Sequence, residues 1–287
     1  MHPVQSALHL PLRYSRRLLG ASQLRNVAVT GEAPAAVVTA LQKALLGHRT
    51  KEEAAWVARI ERLRQLLLAS PQTLEIEDFG AGPSHVFDDG SLDTVHYQTR
   101  TVARMTSFSK PPRWAYLLFR LVRELRPQNV VELGSCVGIS ACYQAAALEL
   151  NGQGHLITLE GASVLADRSA RSIEEMGLTH RASVICGRFS DTLDSALGKS
   201  GKIDMAFIDG HHIEEATLAY LERIAAVAGR ECLLVFDDIN WSDGMRRAWR
   251  TIVDDERFAL TIETRSVGLA VISQSATSRQ ALKIAYS

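Results

Sequence analysis

Five acidic residues and two glycines stand where apolar runs of this chain end, and their types suit binding and proton transfer. Glu132, Gly134 and Gly138 lie in Asn129-Val-Val-Glu-Leu-Gly-Ser-Cys-Val-Gly-Ile-Ser140, an apolar run that ends in an acid and turns through two glycines into a helical pattern. A turn without Cβ atoms lets a ligand lie against bare backbone, and the N–H groups that open a helix favour an anion. Glu160 closes the next run, His155-Leu-Ile-Thr-Leu-Glu160, and Gly161 follows it. If the two runs are neighbouring parallel strands, Glu160 can accept hydrogen bonds from two ribose hydroxyls. The set reads as a site for a nucleoside-containing cofactor.

A second set can do acid–base or metal chemistry. Asp209 ends the run in Lys202-Ile-Asp-Met-Ala-Phe-Ile-Asp-Gly-His-His212, and Asp237 and Asp238 end the run after it. Adjacent aspartates closing an apolar strand cost desolvation unless something pairs with them. Three carboxylates at neighbouring strand ends would form an oxygen-rich pocket suited to Mg²⁺ or Ca²⁺. The other reading has Asp209 facing cofactor or substrate while Asp237 and Asp238 cap the helix that opens at Ser242. His212 can take a proton from a hydroxyl at neutral pH, the more so if a metal acidifies that hydroxyl. Its alternative is to cap a helix over 213–226 or to hydrogen-bond the backbone. His211 is the weaker candidate, and Trp114 and Trp241 read as core before substrate walls.

The elements that must position these residues follow from periodicity and caps. Before residue 127 the chain reads mostly helical. A helix over 34–46 has Pro34 at its first position, apolar Val37, Val38, Leu41 and Leu45, and Gly47 as its cap. Thr50 with Glu53 is a capping-box pattern that opens a helix to about Ala69, with Trp56, Ile60, Leu63 and Leu67 on one face. Residues 72–92, with Gly80, Gly82, Gly90 and the acids Glu75, Glu77, Asp78, Asp88 and Asp89, read as a solvated loop before a metal loop. Pro111 and Pro112 mark the next helix start. After 127, apolar runs at 129–133, 155–160, 182–187, 203–209 and 231–237 alternate with helical patterns, which means βαβ units. Runs at 258–264 and 267–273 are too close for a crossover helix and must pair antiparallel. The expected fold is α/β: a Rossmann-like, doubly wound, mainly parallel seven-stranded sheet with an antiparallel C-terminal hairpin, plus an N-terminal helical extension.

Composition narrows the function classes. The chain has 287 residues, room for one large domain or a core domain with an extension. Its 32 Lys+Arg balance 32 Asp+Glu, so no global field favours nucleic acid or acidic lipid. No apolar run approaches the ~20 residues of a membrane span. The N-terminus, with Arg13, Arg16 and Arg17 after a stretch broken by Pro3 and Pro11, lacks the order of a signal peptide. Cys136, Cys142, Cys186 and Cys232 show no C-x-x-C spacing and read as reduced, buried thiols of a cytoplasmic protein.

The glycine turn also excludes cofactors. Gly138 is followed by Ile139-Ser140, with no lysine for a Walker loop, and a G-x-G-x-x-G fingerprint would need glycine at Cys136 and Ile139. The Glu132-x-Gly134-x-x-x-Gly138 spacing instead resembles motif I of class I S-adenosylmethionine-dependent methyltransferases. With Glu160, Phe207-Ile-Asp-Gly-x-His212 and Phe236-Asp-Asp238 in order, residues 105–273 resemble the bacterial catechol O-methyltransferase-like group. The resemblance implies an N-terminal extension or lid over 1–110 and a methyltransferase domain over 111–287. It implies S-adenosyl-L-methionine as cofactor, with Gly134 under its methionine part and Ser140 on the carboxylate. Glu160 would take the ribose, Arg188 and Phe189 would lie beside the adenine, and Glu132, Gly138, Gly161 and Asp209 would be further cofactor-binding residues. It further implies Mg²⁺ or another divalent cation on Asp209, Asp237 and Asp238. The metal-dependent members carry a catalytic lysine three residues after the first aspartate, where this chain has His212. The expected activity is O-methylation of a small-molecule acceptor, with Asp209 and His212 as catalytic residues, no nucleic-acid or membrane partner, and a homodimer left open. N- or C-methylation, a nicotinamide-dependent oxidoreductase and a non-catalytic cofactor-binding protein are the alternatives.

Overall fold

In the computed structural model, residues 19–25, 27–78 and 96–286 are described. Helix α1 (Glu32–Leu46) starts two residues ahead of Pro34, on Gly31, and stops at Gly47. There the left-handed backbone lets the Gly47 and His48 N–H groups bond the carbonyls of Ala44 and Lys43. Helix α2 (Lys51–Leu68) opens with the full capping box of Thr50 and Glu53 and buries Ile60, Leu63 and Leu67. Glu53 is itself buried and accepts from Arg120 Nη1 at 2.6 Å and Arg123 Nε at 3.2 Å, which ties α2 to the helix over 112–125.

Residues 73–78, expected within a loop, form strand β1 (Thr73–Asp78), paired antiparallel with β2 (His96–Thr101). Leu74 and Ile76 alternate with acids, a period-2 pattern, but its partner strand is remote in sequence and the acids resemble a solvated turn. Residues 79–95, with Asp88 and Asp89, lie outside the described residues, as do Arg13, Arg16 and Arg17. Helix α3 (Val102–Thr106) and helix α4 (Pro112–Leu125) follow, and Pro111 is the N-cap of α4, where a missing N–H costs nothing.

The sheet begins at β3 (Asn129–Leu133) and continues with β4 (His155–Glu160), β5 (Ala182–Cys186), β6 (Ile203–Ile208), β7 (Ala228–Phe236), β8 (Leu260–Glu263), β9 (Gly268–Ser273) and β10 (Gln280–Lys283). It has eight strands, in the order β10-β8-β9-β7-β6-β3-β4-β5, where seven were expected. The added edge strand β10, parallel to β8, is four residues long and only partly buried, so no apolar run announces it. Strands β3 to β7 are mutually parallel, and β9 runs antiparallel to both β7 and β8, as expected of a hairpin.

From β3 the chain winds outward through β4 to β5, then returns to place β6 on the other side of β3. The crevice of such a reversal lies at the carboxyl ends of β3 and β6, the usual ligand position in open α/β sheets. Helices α5 (Ile139–Asn151) and α6 (Ser163–Glu175) cover one face together with α1, α2 and α4. Helices α7 (Phe189–Ser200), α8 (Glu214–Ala225) and α9 (Asp243–Asp254) cover the other. Val37, Leu41 and Ile60 of the N-terminal helices share one apolar core with Val130 and Leu233 of the sheet. No helix among the described residues is long and apolar enough to cross a membrane.

Candidate active site

Both motif glycines answer first to the protein's own backbone. Gly134 has φ +98°, and a Cβ there would stand 2.2 Å from the carbonyl oxygen of Asp209. At Gly138, φ +86°, a Cβ would lie 2.9 Å from Ser169 Oγ and 3.0 Å from its Cα. The turn is thus clamped between the end of β6 and helix α6, and the glycines allow that approach. Between them Cys136 holds φ +50° and donates its N–H to Glu160 Oε2 at 2.7 Å. Glu160 Oε1 accepts from the Ala162 N–H at 3.1 Å. Burial still raises the Glu160 pKa, against the backbone N–H groups of Ala162, Cys136 and Gly161. The Ser135 hydroxyl, in the same turn, is buried with no hydrogen-bond partner among the described residues.

Glu132 sits deeper than a cofactor contact. It is fully buried, accepting from Thr158 Oγ1 at 2.6 Å and Gln144 Nε2 at 2.9 Å, and burial pushes its pKa up to about 7. The Ser140 hydroxyl also serves this carboxylate, so Ser140 and Glu132 face each other between sheet and helix.

The second set gathers beyond β6 and β7. Asp209 follows β6 directly, and Asp237 and Asp238 follow β7. Among the described residues the non-glycine residues with positive φ are Cys136, His211, Asp238 and Arg126, and the first three stand at the ends of β3, β6 and β7. Strained backbone of this kind persists where the surrounding structure holds it, and often marks a functional site. His212 Nε2 lies 4.0 Å from Asp209 Oδ1 and 3.9 Å from Asp238 Oδ2, close enough for attraction and too far for a direct hydrogen bond. It does not cap α8, whose N-cap is Ile213 without a side-chain bond. His211 turns the other way, its Nδ1 2.5 Å from the Tyr220 hydroxyl and its ring against Phe189.

A residue from outside the motifs completes this cluster. Lys110, in the segment between α3 and α4, pairs its ammonium with the buried Asp237 carboxylate and stands 3.8 Å from Asp209 Oδ1. Burial raises the Asp209 pKa, opposed by Lys110 and His212 and reinforced by Asp238. Among the described residues no group of three or more His, Cys, Asp or Glu side chains is arranged to hold a metal ion. Asp237 is spent on Lys110, and Asp238 turns towards His212 and the cavity. Neither does Asp237 cap α9; the Ser242 hydroxyl does, accepting from the Met245 N–H. The adjacent cavity, 310 Å³, is lined by Arg113, Trp114, Asp238, Asn240, Trp241 and Arg265. Trp114 is largely core, packed on Tyr286, whereas Trp241 is 55 % exposed with its ring 6.2 Å from that of His212.

Residues 131–239, which carry all the motif acids and His212, match a family model described as a methyltransferase domain. This stretch is thus similar to a methyltransferase domain. Catechol O-methyltransferase of Niastella koreensis is 33 % identical over 108 residues, 37 % of this chain and 48 % of that protein. Catechol O-methyltransferase of Mycobacterium tuberculosis is 28 % identical over 119 residues, 42 % of this chain and 51 % of that protein. The chain thus spans about half the length of these relatives. An O-methyltransferase from Bacillus cereus, solved in complex with SAH, shares the fold at 23 % identity with a TM-score of 0.52, covering 60 % of this chain and 86 % of that one.

Within the matched stretch, Gly134, Gly138, Glu160, Gly161, Asp209, His212 and Asp238 meet at the carboxyl ends of β3, β4, β6 and β7. Phe189 opens α7 with its ring buried against His211 and Tyr220, Arg188 is the N-cap of that helix, and Ser140 and Glu132 lie behind the turn. Sequence reasoning missed Lys110, whose neighbours Pro111 and Pro112 signalled only a helix start. It also missed Glu77, read as a loop acid, which accepts the Ser163 N–H at 2.8 Å and so links β1 to the start of α6. Of the cysteines, Cys142 and Cys232 are buried as expected, but Cys186 is exposed.

Glu132 yields a pH prediction. Its folded pKa of about 7 lies above the ordinary 4.5, so the native state holds a proton that the unfolded chain has released. The associated stability is present below the unfolded value and is lost as pH rises from 4.5 to about 7, by at most ~1.4 kcal/mol per pH unit. Glu132→Gln is expected to flatten this slope in urea denaturation across that window. An unchanged slope would mean that Glu132 is ionised throughout.

Proposed function

We propose that this chain is an S-adenosylmethionine-dependent methyltransferase acting on a hydroxyl of a small molecule. The observation that carries the reading is the meeting of the 134–138 turn, Glu160 and Asp209 at the reversal point of a methyltransferase domain. The donor chemistry fits such a cofactor. Glu160 uses its oxygens on backbone N–H groups and keeps lone pairs for ribose hydroxyls, and the buried Ser135 hydroxyl lacks a partner among the described residues. Gly134, Gly138 and Gly161 would form the floor, with Phe189 and Arg188 towards the base. Ser140 fits its expected role less well, because its hydroxyl serves Glu132.

When bound, S-adenosylmethionine supplies a methyl group on a sulfonium sulfur that leaves as a neutral thioether. The chain's own task is to align the acceptor, take its proton and exclude water. His212 Nε2 would receive the hydroxyl proton, and Asp209 and Asp238, on either side of it, would stabilise the imidazolium formed. The cavity beside Asp238, with Trp114 and Trp241 as flat walls, suits a hydroxylated ring. The names of the two catechol O-methyltransferase relatives agree with that acceptor class. The described part of residues 1–110 would act as an N-terminal extension that shapes this end, with 111–287 as the methyltransferase unit. Four free cysteines suit a reducing compartment such as the cytoplasm.

Calorimetry with S-adenosylhomocysteine tests the reading. The wild-type protein should bind it and should not bind NAD. Glu160→Ala should lose ~1.5–3 kcal/mol, about one to two decades of affinity. Equal affinity in a folded Glu160→Ala would show that the ribose lies elsewhere.

A further inference from the structure

We infer that Lys110 is the resident cation of the carboxylate cluster: its ammonium stands between Asp209 and Asp237 where a divalent ion would otherwise have to sit, so the site takes no metal. Three observations carry this. The Asp237 carboxylate is buried, and among the described residues its oxygens have no hydrogen-bond partner apart from the ion pair with Lys110. A buried carboxylate requires a compensating charge, and this lysine supplies it. The same ammonium lies 3.8 Å from Asp209 Oδ1, so one positive charge serves two of the three expected ligands. The third, Asp238, is in left-handed backbone and directs Oδ2 towards His212 at 3.9 Å.

Lys110 is well placed to hold this position. Its side chain is 13 % exposed, and its backbone is anchored between α3 and the proline-defined start of α4. It also lies outside the matched stretch 131–239. The cation is therefore delivered to the methyltransferase domain by the preceding segment, at a point where the domain's motifs leave only carboxylates. Lys110 is a charge-compensating and positioning residue, and proton transfer stays with His212.

The test titrates Mn²⁺ into the full-length protein and follows free ion by electron paramagnetic resonance. Wild type should show no stoichiometric site that depends on Asp237. Lys110→Met, which removes the charge and keeps the stem, should gain a site with a Kd at least about tenfold below any wild-type binding, because Asp209 and Asp237 then face the ion without competition. Adding Asp237→Asn to Lys110→Met should abolish it. A wild-type site lost in Asp237→Asn would overturn the inference, and so would a folded Lys110→Met that binds no Mn²⁺. If Lys110→Met does not fold, the wild-type titration, with and without Asp237→Asn, still decides. A second arm rests on the methyl-transfer reading: turnover should be the same in EDTA as in Mg²⁺. Failure of that reading would appear as absent S-adenosylhomocysteine binding, whereas failure of the inference would appear as EDTA-sensitive turnover in a protein that binds it.

Discussion

His212→Ala is expected to lower methyl transfer by ~10²–10⁴-fold, the usual contribution of a positioned general base. The expectation rests on placement. His212 stands just after β6, flanked by Asp209 and Asp238 at 4.0 and 3.9 Å, and its ring neighbours that of Trp241 at the cavity. On the inference that Lys110 holds the place of a metal ion, nothing else acidifies the acceptor, so removal of the histidine should be felt fully. S-adenosylhomocysteine affinity should stay at the wild-type value, because His212 lies beside Asp209, Asp238 and Trp241, whereas the cofactor reading rests on Glu160 and the 134–138 turn. Initial rates with catechol acceptors, read beside calorimetry on the same preparation, separate the two effects. A His212→Ala protein that turns over at the wild-type rate would move the base to another group.

Gly134→Ala is expected to cost roughly 2–5 kcal/mol of stability, combining an overpacked contact with left-handed backbone at a non-glycine residue. The added Cβ would meet the carbonyl oxygen of Asp209 at 2.2 Å, and that backbone belongs to the neighbouring strand's end and has little room to yield. The displacement would also move Asp209 away from Lys110 and His212, so cofactor binding and turnover should fall together. Gly138→Ala should be milder, since its nearest neighbours, at 2.9 to 3.0 Å, belong to Ser169 on helix α6. Urea denaturation midpoints of the two variants give the order. Should Gly134→Ala unfold at the wild-type midpoint, the close approach of β3 and β6 would not be what requires glycine there.

These two residues show what was legible in the linear chain. Gly134 and His212 were readable as candidate site residues because each follows a run whose period and length mark a buried parallel strand. The winding of such runs brings their carboxyl ends to one edge. The capping box at Thr50, the turn at Gly47 and the antiparallel closing hairpin were readable for the same reason: their signals span a few residues and are locally sufficient. Strand β10 was not, because a short, half-exposed edge strand needs no apolar run.

The reason glycine is needed at 134 belonged to the tertiary structure, since the oxygen it avoids comes from Asp209 on a strand that becomes its neighbour only when the sheet winds back. The partner of Asp237 was decided there too. Sequence shows that a carboxylate closing an apolar strand needs a compensating charge, but Mg²⁺, a helix N-terminus and a lysine all satisfy that need equally well in one dimension. Only packing of the segment between α3 and α4 over the ends of β6 and β7 brings Lys110 to the buried oxygens, and a charge pair between residues so far apart in the chain leaves no periodicity or spacing to read.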